Sequence, residues 1–282
     1  LFSGDVGRWN TPILRDPDTF DQADYVCIES TYGNRDHKDN SSIPGTLARV
    51  IRAAHRAGGN VLIPSFAIER TQELLYRIGE LRAEGRIPKV PVYVDSPMAV
   101  RVTEVFKRHS ELFDEETMDR IARGQHPCDF SGLELTRSVA DSKAINDRGG
   151  TSIIIAGSGM CTGGRIKHHI ANNIERTESV ILFVGYQANG TLGRHILRGA
   201  EHVRLFGEEH EVLARIEKVN GMSAHADRKE LLQWLRGLKS KPEKVFVIHG
   251  EERASHEFAQ YVGDRLGWDA EVATYQQEVI LH

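Results

Sequence analysis

The sequence predicts an α/β protein built on a mostly parallel sheet, and three observations carry that prediction. From residue 42 onward, amphipathic helical stretches alternate with short apolar runs, the pattern of successive βαβ units. The runs at 61–66, 90–94, 152–156 and 180–184 read as buried-type strands. With 282 residues, 40% of them apolar and 27% charged, the chain is an ordinary globular one with ample material for one large domain or two.

Taken in order, Leu1-Phe2 is the tail of a strand that ends in Ser3-Gly4-Asp5-Val6-Gly7, a tight turn presenting one carboxylate. The run 25–28 is a second strand, and it delivers Glu29 into the turn Ser30-Thr31-Tyr32-Gly33. A polar link at 34–40 follows. Leu47, Val50, Ile51 and Ala54 form one face of a helix that Gly58-Gly59 ends. Helix 69–84 carries Leu74, Leu75, Ile78 and Leu81 on its apolar side, and strand 90–94 stops at Asp95-Ser96-Pro97. The helical region 99–123 breaks near His109-Ser110, whereas 125–137 shows no regular pattern. Strands 152–156 and 180–184 flank a helix at 166–173. A short helix at 191–197 and a strand at 203–206 come next. Residues 211–219 alternate as a strand does, and they lead into Gly221-Met222-Ser223-Ala224-His225-Ala226-Asp227. Leu231, Leu232, Trp234, Leu235 and Leu238 lie at helical spacing beyond it. Asp227 and Glu230 form a capping box that starts this helix near Arg228. Strand 244–248 ends on His249-Gly250-Glu251, and a helix at 255–266 with two terminal strands completes the chain.

Composition narrows the function classes. No apolar run reaches the roughly 18 residues of a membrane span. A net charge of −4 gives no general attraction to phosphate backbones, so a nucleic-acid partner would need a local basic groove or metal ions. Cys27, Cys128 and Cys161 are odd in number and scattered. That argues against a disulfide framework and a cysteine zinc site, and it favours a reducing, cytoplasmic compartment. Leu1 falls inside a strand without a Met or a polar lead-in, which reads as part of a longer chain.

Candidates for chemistry collect at strand ends: Asp5, Glu29, His195, His225 and His249, with the glycine-rich loop 157–164. Ligand-type residues delivered by separate strands to one sheet edge make a metallohydrolase site plausible, though no two of them are close in sequence. Each has a plainer reading as well. Asp5 can serve its turn, Glu29 can cap a strand end, His195 can be a satisfied core histidine, and His225 a solvated loop residue.

The residues also resemble a known family. Phe2-Ser3-Gly4-Asp5-Val6-Gly7, Glu29-Ser30-Thr31-Tyr32-Gly33, Gly190-Thr191-Leu192-Gly193-Arg194-His195 and Ser223-Ala224-His225-Ala226-Asp227 are similar to successive motifs of the β-CASP metallo-β-lactamase-fold nucleases. So are Ile63 to Arg70, Asp95-Ser96-Pro97-Met98-Ala99, Gly157-Ser158-Gly159-Met160 and Ile248-His249-Gly250-Glu251, in the expected order. The nearest likeness is to RNA-processing members related to the pre-mRNA 3′-end endonuclease. The resemblance implies the C-terminal part of an αββα metallo-β-lactamase sandwich at 1–35 and 193–282, with a β-CASP α/β domain inserted at 36–192.

It also implies roles. Asp5 would bridge two zinc ions, His225 would be the last histidine ligand of one of them, and His195 would contact the scissile phosphate and protonate the leaving oxygen. Glu29 would hydrogen-bond His195 and raise its basicity. Together these imply a zinc-dependent ribonuclease that cleaves RNA phosphodiesters by a two-metal hydroxide mechanism, in RNA processing or decay. Ser223, Gly159, Arg165 and Lys167 would line the substrate groove, while His249 and Glu251 would support the site. The loop 157–164 lacks the G-K-[ST] of a P-loop and the G-x-G-x-x-G spacing, so strand-to-helix turn chemistry stands beside the groove role.

The family's His-x-His-x-Asp-His motif does not occur, and no His-x-His occurs at all. Asp5 and His225 are two of about four ligands that a zinc ion takes. An N-terminal metallo-β-lactamase segment is therefore expected as a partner, alongside RNA and a possible homodimer contact, with no membrane. Two other readings of the same fold are a non-catalytic RNA-binding or scaffolding relative and a DNA-directed nuclease.

Overall fold

A computed structural model describes residues 1–37 and 41–281. In chain order the elements are β1 (Tyr25–Glu29), α1 (Ser42–Ala57), β2 (Val61–Pro64), α2 (Arg70–Ala83), β3 (Val92–Val94), α3 (Pro97–Arg108) and α4 (Glu115–Ala122). Then come β4 (Leu133–Leu135), α5 (Val139–Asn146), β5 (Ile153–Ala156), α6 (Ile166–Asn173), β6 (Val180–Phe183) and α7 (Leu192–Leu197). The chain finishes with β7 (His202–Leu205), β8 (Glu208–Glu211), β9 (Arg215–Lys218), α8 (Arg228–Leu235), β10 (Lys244–Ile248), α9 (Glu252–Leu266) and β11 (Ala270–Val272).

The chain packs as two compact units, one of Leu1–Thr11, Arg15–Lys38 and Ala224–His282, the other of Pro12–Leu14 and Asp39–Ser223. Division by packing falls elsewhere than the expected domain boundaries. Residues 193–223 pack with the second unit because β9 pairs in parallel with β6, Val180 opposite Arg215 through Phe183 opposite Lys218.

The second unit is organised on a six-stranded sheet, order β4-β3-β5-β2-β6-β9, every pairing parallel. Period-2 alternation divides its side chains between two faces. Val61, Ile63, Ile153, Ile155, Val180 and Leu182 pack with α1 and α2 residues such as Leu47, Ile51, Leu74 and Ile78. Leu62, Ile181 and Phe183 face the other way, onto Ile166, Ile170 and Ile196 of α6 and α7. Covering both faces is what an all-parallel sheet requires, and each fully buried aliphatic side chain contributes about 1.5–3 kcal/mol.

The first unit holds a three-stranded parallel sheet, order β1-β10-β11. Val26, Ile28, Val245 and Val247 pack on Leu231, Leu235, Phe258 and Val262 of α8 and α9. Asp227 and Glu230 close the expected capping box, with Asp227 accepting from the N–H groups of Lys229 and Glu230.

Several expected elements differ. The strand expected at 211–219 is two strands, because Leu213 and Ala214 turn their N–H groups onto the Ile174 carbonyl (2.9 and 2.7 Å) and leave the ladder. The stretch 125–137 contains β4, which pairs with β3. Helix α5 has no counterpart in the sequence reading; its start is fixed locally by a Ser138/Asp141 capping box. Of two terminal strands only β11 forms among the described residues, and Ile280 beyond it is exposed. Positions 38–40 of the expected polar link lie outside the described residues, whereas Asp36 just before them takes charge-assisted contacts from Arg228 and Lys229 at 2.7 Å each. No helix among the described residues is long and apolar enough to cross a membrane. Burial pushes the thiols of Cys128 and Cys161 up to about 12, so both are inert packing residues.

Candidate metal centre

The first unit brings four ligand-type residues together, three from strand ends of its sheet and His225 from the loop before α8. Residues 1–3 run parallel beside β1, with the Cys27 N–H donating to the Leu1 carbonyl (2.8 Å) and the Ser3 N–H to the Cys27 carbonyl (2.9 Å). The chain then turns through Gly4 and Gly7, both at positive φ, and carries Asp5 between them with its side chain 59% exposed. Only glycine adopts that backbone at little cost, so the turn holds the aspartate out from the strand end. Glu29, the last residue of β1, is fully buried. Its Oε1 accepts from the Val6 N–H at 2.8 Å, and its own N–H donates to the Ser3 hydroxyl at 3.1 Å. The Asp5 turn is thereby tied to the glutamate.

Strand β10 lies beside β1 with Glu29 opposite Ile248, so the next residue, His249, reaches the same edge. His249 has φ +53, a left-handed conformation that costs a residue with a Cβ about 1 kcal/mol. Its carbonyl accepts from the Thr31 hydroxyl at 3.0 Å. Gly250 follows because a Cβ there would lie 2.4 Å from the Ser30 Oγ and 2.7 Å from the Ser255 Oγ.

His225 enters from the loop before α8. Asp227 anchors that loop through its cap and through the His37 N–H (2.7 Å), and the His37 Nε2 meets the His225 carbonyl at 2.9 Å. Burial, helped by the nearby Arg8 charge, holds the His37 imidazole below the ordinary histidine range and so favours its neutral form.

The four residues meet. His225 Nδ1 is 2.8 Å from Glu29 Oε2 and 3.8 Å from Asp5 Oδ1, and His249 Nδ1 is 3.3 Å from Asp5 Oδ1. One ligand atom from each of Asp5, Glu29, His225 and His249 lies within 4.8 Å of all the others. Two carboxylates and two imidazoles converging in this way form a donor set that fits a borderline divalent cation such as zinc. Glu29 accepting from Nδ1–H puts the lone pair of neutral His225 on Nε2, the usual carboxylate support of a metal-binding histidine. Glu251 lies outside the cluster, at the start of α9. Where the resemblance implied a bond from Glu29 to His195, the hydrogen bonds of the Glu29 carboxylate described here run to Val6 and His225.

The remaining candidates belong to the second unit. His195 is exposed on α7, whose cap is the Thr191 hydroxyl accepting from the Arg194 N–H. The carbonyl of Gly159 accepts from buried Gln187 at 2.8 Å, and the Phe66 ring lies against its Cα. Arg165 turns inward, donating to Asp95 Oδ1 at 2.7 Å and to the Arg137 carbonyl at 3.1 Å. Lys167 Nζ stands 5.0 Å above the ring of Phe206. Ser223 ends this unit and is partly buried.

One feature of this unit was not legible as a site. Asp95 and His169 are both fully buried and meet at 2.6 Å, while the Ser142 hydroxyl donates to the same carboxylate at 2.5 Å. Burial alone would raise the Asp95 pKa, but the bonds from His169, Ser142 and Arg165 hold it below the ordinary aspartate range. The legible signal was an aspartate closing an apolar strand ahead of a Ser-Pro helix start.

Comparison with known proteins adds two family matches. Residues 71–196 match the Beta-Casp domain, and residues 209–273 match the Zn-dependent metallo-hydrolase RNA specificity domain. Among curated proteins, the chain is 39% identical to Ribonuclease TTHA0252 of Thermus thermophilus, over 89% of this chain and 57% of that protein. It is 30% identical to Transcription termination factor FttA of Methanosarcina mazei, over 100% of this chain and 45% of that protein. To the FttA of Methanocaldococcus jannaschii it is 31% identical, over 93% and 42% respectively. The chain thus spans about half the length of the curated relatives it matches.

Proposed function

Because this chain belongs to the β-CASP family of metallo-β-lactamase-fold proteins, we propose that it forms part of a zinc-dependent ribonuclease acting in RNA processing or decay. The observation that carries the reading is the convergence of Asp5, Glu29, His225 and His249 at one sheet edge. Asp5, His225 and His249 would hold metal, and Glu29 would orient His225 from behind. Two zinc ions in a complete site would supply Lewis-acid stabilisation of the charge developing on a phosphodiester. With no His-x-His in these 282 residues, further ligands are proposed to come from an N-terminal metallo-β-lactamase segment.

The chain's own residues then have distinct tasks. Asp5 would hold metal, and its negative charge would offset the repulsion between two cations there. Glu29 holds the proton on His225 Nδ1 and so aims that ring. His195 contacts the scissile phosphate and gives a proton to the leaving 3′ oxygen, so that the products carry 5′-phosphate and 3′-hydroxyl ends. Ser223 and the 157–164 loop line the groove. Arg165 supports that loop from beneath through its bond to Asp95.

Asp5→Asn is expected to lower zinc affinity by more than the roughly 10–100-fold that loss of an outer partner produces. Elemental analysis with chelator competition reads this, and unchanged zinc content would sink the metal-holding role of Asp5. Matched RNA and DNA oligonucleotides, given to the complete protein that contains this chain, test the substrate. Cleavage of RNA alone supports the reading, and equal cleavage of DNA favours a DNA-directed enzyme. RNA binding without cleavage by the zinc-loaded protein favours a non-catalytic relative.

A further inference from the structure

The tip of the β7–β8 hairpin carries a residue that its backbone does not favour. Leu205 pairs with Glu208, so the loop is the two residues Phe206-Gly207, with φ of +52 and +91. Positive φ at both central positions is the type I′ pattern, which selects Asn, Asp or Gly at the first of them. A phenylalanine there strains the backbone, and hairpin formation gains nothing from it. Nor does Phe206 fill the core, since its side chain is 55% exposed while its neighbours Val203 and Leu205 are buried. What the strained position achieves is display of an aromatic ring.

The ring has a defined setting on α6. It stacks on His168 with centroids 4.4 Å apart and planes 20° from parallel, and Lys167 Nζ lies 5.0 Å from its centroid. Acidic Glu208 and Glu209 open the returning strand, so the cationic flank is the α6 side. Helix α6 begins directly after the 157–164 loop that follows β5, so its first turn lies at the carboxyl edge of the parallel sheet, where such folds receive ligands. A half-exposed aromatic ring, backed by His168 and with a cation over it at that edge, fits a planar base with its adjoining phosphate.

We propose that Phe206, supported by His168 and flanked by Lys167, is a stacking subsite for one nucleobase of single-stranded RNA. The proposal rests on the RNA reading above, and its ligand class is the nucleobase itself.

The test measures binding of fluorescein-labelled oligoadenylate to the complete protein that contains this chain, in chelator, so that neither metal content nor cleavage enters. Phe206→Ala and Phe206→Asn are expected to weaken binding about 5- to 150-fold, the range for loss of one base–aromatic stack. Phe206→Tyr should keep affinity within about twofold, since its ring stacks equally well. On an oligonucleotide of the same length with abasic central positions, wild type and Phe206→Ala should bind alike. Because Asn suits a type I′ turn, Phe206→Asn should melt no lower than wild type, whereas a residue kept for packing would melt lower. Equal binding of oligoadenylate by wild type and variants, an equal loss on the abasic probe, or a destabilised Asn variant would each overturn the subsite. Failure of the complete wild-type protein to bind RNA at all would overturn the RNA reading as well, whereas failure of the variants to differ overturns this inference alone.

Discussion

His195→Ala, in the complete protein that contains this chain, is expected to lose about 10²–10⁴ in cleavage rate while retaining its zinc and its fold. The loss follows from the task proposed for the ring. Departure of a 3′ oxygen without a positioned acid leaves an alkoxide in water, and general acid catalysis is worth that factor. Retention of the fold follows from the structure: His195 is exposed on a short helix whose packing rests on buried Ile196 and whose cap is Thr191. Steady-state cleavage paired with elemental analysis separates the two expectations. Zinc loss in the variant would assign the residue to the metal centre, and undiminished cleavage would remove it from the reaction.

Asp95→Ala is expected to lose about 3–5 kcal/mol of stability. The carboxylate is fully buried and takes bonds from His169, Ser142 and Arg165. Its removal leaves a guanidinium, an imidazole and a hydroxyl in a low-dielectric interior without their acceptor. The sign of the pH dependence follows from its lowered pKa. Asp95 contributes its stability fully above the unfolded aspartate value of 3.8, and the contribution falls away as pH drops through the lower folded value. Denaturant melts of wild type and variant should therefore differ most near neutral pH and converge below about pH 4. A constant difference across that range would show that lost packing, not lost charge pairing, dominates.

The Asp95 network also bears on function. Arg165 is one of the residues that the motif pattern placed in a substrate groove, and its guanidinium is spent on holding the 157–164 loop to β3. Its weight in RNA binding is therefore proposed to be indirect, through loop position, whereas Lys167 stands over the exposed ring of Phe206.

The sequence by itself determined the elements whose causes are local. Apolar runs of strand length between amphipathic stretches specified β2, β5, β6 and β10. The D-x-x-E pattern at Asp227 and Glu230 started α8 where the structure starts it. Acids and histidines at strand ends marked Asp5, Glu29 and His225, because those positions combine a rigid strand with a permissive turn. Helix α5 escaped because eight residues with little amphipathic pattern depend on a capping box and on Ser142 and Ile145 reaching the interior.

Only the tertiary structure decided what meets what. Glu29 and His249 become neighbours through the parallel register of β1 and β10, strands at opposite ends of the sequence. No local signal encodes a pairing of that kind. His168 and His169 are adjacent in sequence, yet helix α6 puts one against an exposed ring and the other against a buried carboxylate. Residues 203–206 read as a strand through Phe206, but pairing of Leu205 with Glu208 turned the last of them into a hairpin tip. The physical reason is common to all three. Propensity and periodicity act over a few residues, whereas strand register and burial are set by contacts between distant segments, and the chemistry of this chain resides in those contacts.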